Sequence, residues 1–255
     1  MIDWARLTLV SYIFMRMTGF VLFDPILGRR GIPGIARAGY VLVLTFTAAT
    51  FTATAAVPLP DTVLEFGLRL CLELALGFLA GLVVQIFFYI PLLAGETIDS
   101  QMGLGMAKTY DAGSQVSASV TSTALNVLMF LLFFAGNGHH TLLRILLTSG
   151  ELVPYGQVAL GADAADLAAM LFITCTTLGV KLAFPILAAE MIGEVGMGIL
   201  LKVIPQINVF VINIDMKILI GLTMLLLLIV PFSEFLLDVE NQMLYAVGQA
   251  IAAAG

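Results

Sequence analysis

Gly95–Ser119, GETIDSQMGLGMAKTYDAGSQVSAS, is polar, glycine-rich and charged, yet it lies between two long apolar runs. Leu74–Ala94 precedes it as LALGFLAGLVVQIFFYIPLLA, and Val120–Gly136 follows it as VTSTALNVLMFLLFFAG. A charge at membrane depth is costly, so an acidic segment placed there must face water, a cavity or a protein partner. Glu96 and Asp99 stand at i, i+3, a spacing that puts them on one helical face. Met102 and Met106 follow at i, i+4, and Gly103 and Gly105 loosen the backbone between them. The stretch therefore predicts a loop that moves and seals, not a plain connector.

The rest of the chain supports a membrane setting. Of its 255 residues, 60% are hydrophobic and only 11% charged, with a mean hydropathy of +1.07. Soluble domains carry about 25% charged residues. The length fits one membrane-associated domain over 1–255, with no room for a sizeable soluble one. A net charge of −6 argues against nucleic acid or anionic lipid headgroups as partners. Cys71 and Cys175 sit in apolar runs and read as buried free thiols. The N-terminus lacks a basic start and an Ala-x-Ala site, and Arg16 interrupts its apolar stretch, so it reads as a retained helix.

Apolar runs fall at about Leu7–Phe23, Ala38–Pro58, Leu70–Ala94, Val120–Ala135, Leu167–Ala189 and Ile207–Phe232. A spanning helix needs about 20 apolar residues. Ala38–Pro58 and Leu74–Ala94 meet that without a charge, whereas Arg16, Lys181, Asp215 and Lys217 interrupt other runs. Pro91, Pro185 and Pro205 predict kinks or breaks near segment ends. Irregular backbone at depth is tolerated only where protein or a water-filled cavity covers it. The expectation is an all-α membrane protein of kinked and broken helices and helical hairpins, with partner subunits covering the breaks. The loop Asp24–Arg37, with Arg29, Arg30 and Arg37, is expected on the cytoplasmic side.

Other clusters each admit a plain reading. Gly77 and Gly81 form GxxxG within LALGFLAG, which lets helices approach closely, in ordinary packing or at a subunit interface. Glu73 lies one turn earlier and reads either as a partner-facing acid or as a solvated helix end. Glu190 and Glu194, in EMIGEVGMG, stand at i, i+4 as a solvated face or as a proton or cation relay. Lys202, Gln206, Asn208, Asn213, Asp215 and Lys217 punctuate Leu201–Ile218, so that element should be buried in protein or face water. His139 and His140 have no further metal ligand nearby and read as a polar helix end at the membrane boundary. No HExxH, GxSxG, P-loop or GxGxxG occurs with the right flanks, so neither an enzyme nor a cofactor or metal is expected.

Three motifs carry a family resemblance: GETIDSQMGLGMA (Gly95–Ala107), NGHH (Asn137–His140) and PQINVF (Pro205–Phe210). With Arg16, Pro25, Pro33, Lys217 and a terminal apolar helix, they make the whole chain resemble the FliR/SctT family of type III secretion export-gate subunits. The chain departs from the family pattern where Asp111-Ala112 stands for an Asp-Pro pair, and at INIDMK after Val211, where Gly and Pro are commoner. QMG, NGHH and PQINVF together resemble flagellar members more than virulence ones.

The resemblance implies a non-enzymatic subunit of the flagellar export gate in the bacterial inner membrane, at the basal body, passing unfolded flagellar proteins. It implies FliP-like and FliQ-like gate subunits, and FlhB-like and FlhA-like export proteins, as partners beside membrane lipids. The pore plug would comprise Met102, Gly103, Leu104, Gly105, Met106, Lys108 and Asp111. The family motif residues would be Gly95, Glu96, Asp99, Gln101, Asn137, Gly138, His139, Pro205, Gln206, Asn208 and Phe210. Subunit contacts are expected at Arg16, Glu73, Gly77, Gly81, Asp215 and Lys217. The alternatives are a virulence export-gate subunit, or a secondary transporter or ion channel using Glu96, Asp99, Glu190 and Glu194.

Overall fold

The computed structural model describes residues 4–26, 28, 32–52, 59–104, 119–159, 161–203 and 209–255. Among these residues the chain forms nine helices and no strand. They are α1 (Trp4–Phe23), α2 (Gly34–Phe51), α3 (Val63–Gln101), α4 (Val120–Ala135), α5 (Gly138–Leu147), α6 (Ser149–Leu152), α7 (Ala162–Val203), α8 (Val209–Leu227) and α9 (Ile229–Ala252). Among the described residues, four helices are long and apolar enough to cross a membrane, or up to six spans if each of two bent pairs counts as one.

Local chemistry sets several ends. Pro33 holds φ at −56° just ahead of α2. Ser119 caps α4, its Oγ accepting the Ser122 N–H. Asn137, the one described non-glycine residue with positive φ (59°), turns the chain between α4 and α5, a conformation that asparagine tolerates. Pro231 sits in the first turn of α9, where its missing N–H has no helical partner to lose.

Three expectations change. Pro91 and Pro185, expected to kink or break their segments, do not break them: each lies inside one helix, the 39-residue α3 and the 42-residue α7. A proline removes one hydrogen bond and strains one turn, and the many remaining turns of a long apolar helix carry it across. Asp215 and Lys217 do not cut the last run either, because α8 continues through both. The break comes at Leu228, where α8 and α9 meet at 63°. Cys71 is exposed, contrary to its reading as a buried thiol, because it lies on the outward side of α3; Cys175 is buried, and both are free.

The chain divides into two compact units: residues 1–87, 137–172 and 240–255 form the first, and residues 88–136 and 173–239 the second. In the first, α1 lies on the early part of α3. A Cβ at Gly77 would collide with the Arg16 carbonyl, and one at Gly19 with the Leu74 carbonyl. Phe23 stacks edge-on against Phe78 at 4.3 Å. The close approach that the GxxxG pattern predicts is thus made within the chain. In the second unit, the late part of α3 meets the start of α4. A Cβ at Gly95 would collide with the Ser122 backbone, and Ser122 Oγ donates to the Leu92 carbonyl at 2.7 Å.

Candidate functional site

The first unit holds a buried ion pair. Arg16 and Glu73, 2% and 0% exposed, join α1 to α3 through an Arg16 Nε–H donated to Glu73 Oε2 at 2.7 Å. The remaining groups are satisfied by Ser149–Gly156. Arg16 donates to Ser149 Oγ and to the Val153 carbonyl, both at 3.1 Å, and its guanidinium lies 4.2 Å over the Tyr155 ring. The Gly156 N–H donates to Glu73 Oε1 at 2.7 Å. Burial pushes the Tyr155 phenol up from its ordinary value, with the Arg16 charge opposing part of the rise. Arg16, Glu73, Gly77 and Gly81 were expected at a subunit interface. Within this chain all four are engaged inside one unit, Gly81 also abutting Phe20 and Phe23 of α1. A spacing that permits close helix contact does not say which chain supplies the second helix.

The second unit holds the two roots of the segment 105–118. Glu96 is exposed, whereas Asp99 is 2% exposed, so the two acids do not share one surroundings. Asp99 turns inward because α4 needs an acceptor at its N-terminus. Ser119 Oγ donates to Asp99 Oδ2 at 2.5 Å, and the Thr121 N–H donates to the same oxygen at 3.4 Å. A negative charge there also meets the positive end of the α4 dipole. One bond therefore ties the end of α3 to the start of α4. Met102 follows, fully buried, with its N–H bonded to the Ile98 carbonyl. Gly103 takes φ of 78°, which ends the helix in a left-handed turn open to a glycine.

Met102 fills the space that Gly221 of α8 leaves: a Cβ there would collide with the Met102 side chain and stand 3.0 Å from Glu190 Oε1. Glu190 itself is 0% exposed, and among the described residues no side chain bonds to its oxygens, the polar group beside them being the Gly221 backbone. One turn on, Glu194 is 47% exposed and pairs with Lys217 Nζ at 2.6 Å. The pair Glu190 and Glu194 thus splits into a buried acid and a paired surface acid. Lys217, expected at a subunit contact, is paired within the unit, while Asp215 is exposed.

Of the other expected residues, Gln101 and Leu104 are half-buried beside Met102, and Gly138 is buried at the start of α5. His139 and His140 stack with ring centres 4.0 Å apart. Gly105, Met106, Lys108, Asp111, Pro205, Gln206 and Asn208 lie outside the described residues, as does the side chain of Phe210.

Over residues 7–243 the sequence matches the family described as bacterial export proteins, family 1. The chain belongs to that family. This export protein is 28% identical over 238 residues to the flagellar biosynthetic protein FliR of Escherichia coli K12, covering 90% of this chain and 88% of that one. FliR of Caulobacter vibrioides is 25% identical over 217 residues, covering 85% and 86%, and FliR of Bacillus subtilis 25% over 218, covering 84% and 83%.

Sequence reasoning on the export protein missed Ser149, Val153, Tyr155 and Gly156, which complete the Arg16–Glu73 pair from far away in sequence, Ser149 133 residues beyond Arg16 and Gly156 83 beyond Glu73. One signal could have found such partners: two opposite charges in separate apolar runs each need a mate at depth. Nothing in the sequence marks Gly221 as the seat of Met102.

Proposed function

We propose that this chain is a subunit of the bacterial flagellar protein export apparatus. It acts in the inner membrane as part of a gate through which unfolded flagellar proteins pass. The observation that carries the reading is the paired root of the segment 105–118, held by Asp99 and Ser119 and followed on the α3 side by buried Met102 and Gly103. A segment anchored at both ends, with Met102, Gly103, Gly105 and Met106 along its α3 side, suits a plug that yields to a passing chain and reseals. Membership of an export family, and relatives named for flagellar biosynthesis, support the same reading.

In this reading FliP-like and FliQ-like subunits complete the gate, and FlhB-like and FlhA-like proteins deliver cargo to it. Apolar bulk at a constriction excludes water and ions, and its removal admits them. Deleting residues 105–118 while keeping both roots should leave co-purification with the FliP-like and FliQ-like subunits intact and make resting cells leak ions. Unchanged membrane conductance in such cells, with the complex assembled, would refute the plug. Failure of the unaltered chain to co-purify with those subunits would refute the gate.

A further inference from the structure

We propose that the exposed face of α7 from Ile173 to Ile199 is a docking surface for an apolar helix of an unlike subunit, which brings a carboxylate to Lys181. The inference rests on the gate reading and names a contact within it.

Ile173, Val180, Phe184, Met191, Val195 and Ile199 are all exposed, and their spacing sets them along one side of α7. Lys181 is exposed on the same side, beside a hollow of about 360 Å³ that it shares with Thr176, Thr177, Val180 and Phe184. Only 28% of the apolar window of α7 is buried, against 50% for that of α3. Among the described residues, ion pairs join Arg16 to Glu73, Arg69 to Glu65 and Lys217 to Glu194, and Lys181 is in none of them.

An apolar stripe alone would be explained by lipid tails. The lysine is not, because an ammonium in hydrocarbon loses its hydration with nothing in return. Contact with lipid headgroups would place the membrane edge at Lys181. Apolar residues continue on both sides of it, so that edge would leave either Ile173 or the run from Met191 to Ile199 facing water. A protein helix covers both halves at once, and a carboxylate on it meets the charge with a charge-assisted hydrogen bond. A second copy docking by the same face about a two-fold axis would bring Lys181 towards itself, and like charges repel.

The test uses the full chain co-expressed with FliP-like and FliQ-like subunits, with Phe184 replaced by the photo-crosslinking residue p-benzoylphenylalanine. The expected result is an adduct with one unlike subunit. Its yield should fall about tenfold with Lys181→Glu, hold with Lys181→Arg, and return when an acid near the mapped crosslink is exchanged for lysine. Lys181→Met suits the apolar stripe and should also lower the yield, so a loss there cannot be laid to misfolding. An adduct with lipid alone, with a second copy of this chain, or equally strong in Lys181→Glu overturns the inference. Co-purification without any adduct sinks this contact and leaves the gate reading standing. No co-purification of the unaltered chain sinks both.

Discussion

Glu73 and Glu190 are both 0% exposed, and they are held in opposite ways. Glu73 has an arginine on one oxygen and a backbone N–H on the other. Glu190 has no side-chain partner on either oxygen among the described residues, and sits against Met102 and Gly221 within the field of the Lys217–Glu194 pair. The first arrangement ties three distant parts of the chain into one unit. The second leaves a buried carboxylate with no side-chain partner among the described residues. Burial alone therefore does not tell a structural acid from another kind; the set of partners does.

The contrast breaks most sharply at the arginine pair. Glu73→Leu strands Arg16 in the core and should lower stability by about 3–5 kcal/mol, whereas Arg16→Met with Glu73→Leu should lose less than the sum of the two singles. Thermal unfolding of the detergent-extracted complex, followed by size-exclusion profile, measures both. A double variant as unstable as the added singles would show that the two residues act independently.

Glycines sharpen it next. Gly77→Ala drives a Cβ into the α1 backbone and should lose about 1–3 kcal/mol. Gly198→Ala in α7 meets open space and should gain about 0.5–1 kcal/mol from helix propensity. Midpoints of the same melts compare them, and a loss at Gly198 would place an unseen neighbour against it. Asp99→Ala removes the acceptor shared by Ser119 and Thr121 and should lose about 1–3 kcal/mol, with an ion leak that Glu96→Ala does not cause. The smallest effect belongs to Glu190→Gln, within about 1 kcal/mol of the parent, because the amide oxygen still accepts from the Gly221 backbone and no side-chain partner is lost. A loss as large as that of Glu73→Leu would mean that Glu190 has a partner after all.

Most helices were legible from the apolar runs, and the membrane setting from composition. Continuity was not. Pro91 and Pro185 read as breaks because sequence shows the missing N–H but not the packing that carries a long helix past it. Lys217 read as the end of a run because Glu194, 23 residues earlier, does not look like its partner on the page. The loop roots were half-visible. GETIDSQMG marked the place and the glycine, but Asp99 turned inward to cap α4, a role set by an element that begins 21 positions later. Gly77 and Gly81 told of a close contact and left its owner open.

The bond between Asp99 and Ser119 works like the clasp of a bracelet. With its ends closed on each other, the band between can gain or lose links without disturbing the wrist. Doubling the length of such a closed stretch costs only about 0.6 kcal/mol in entropy. Selection can then act on residues 105–118 almost separately from selection on the frame. A band cut from a relative should fit the same clasp.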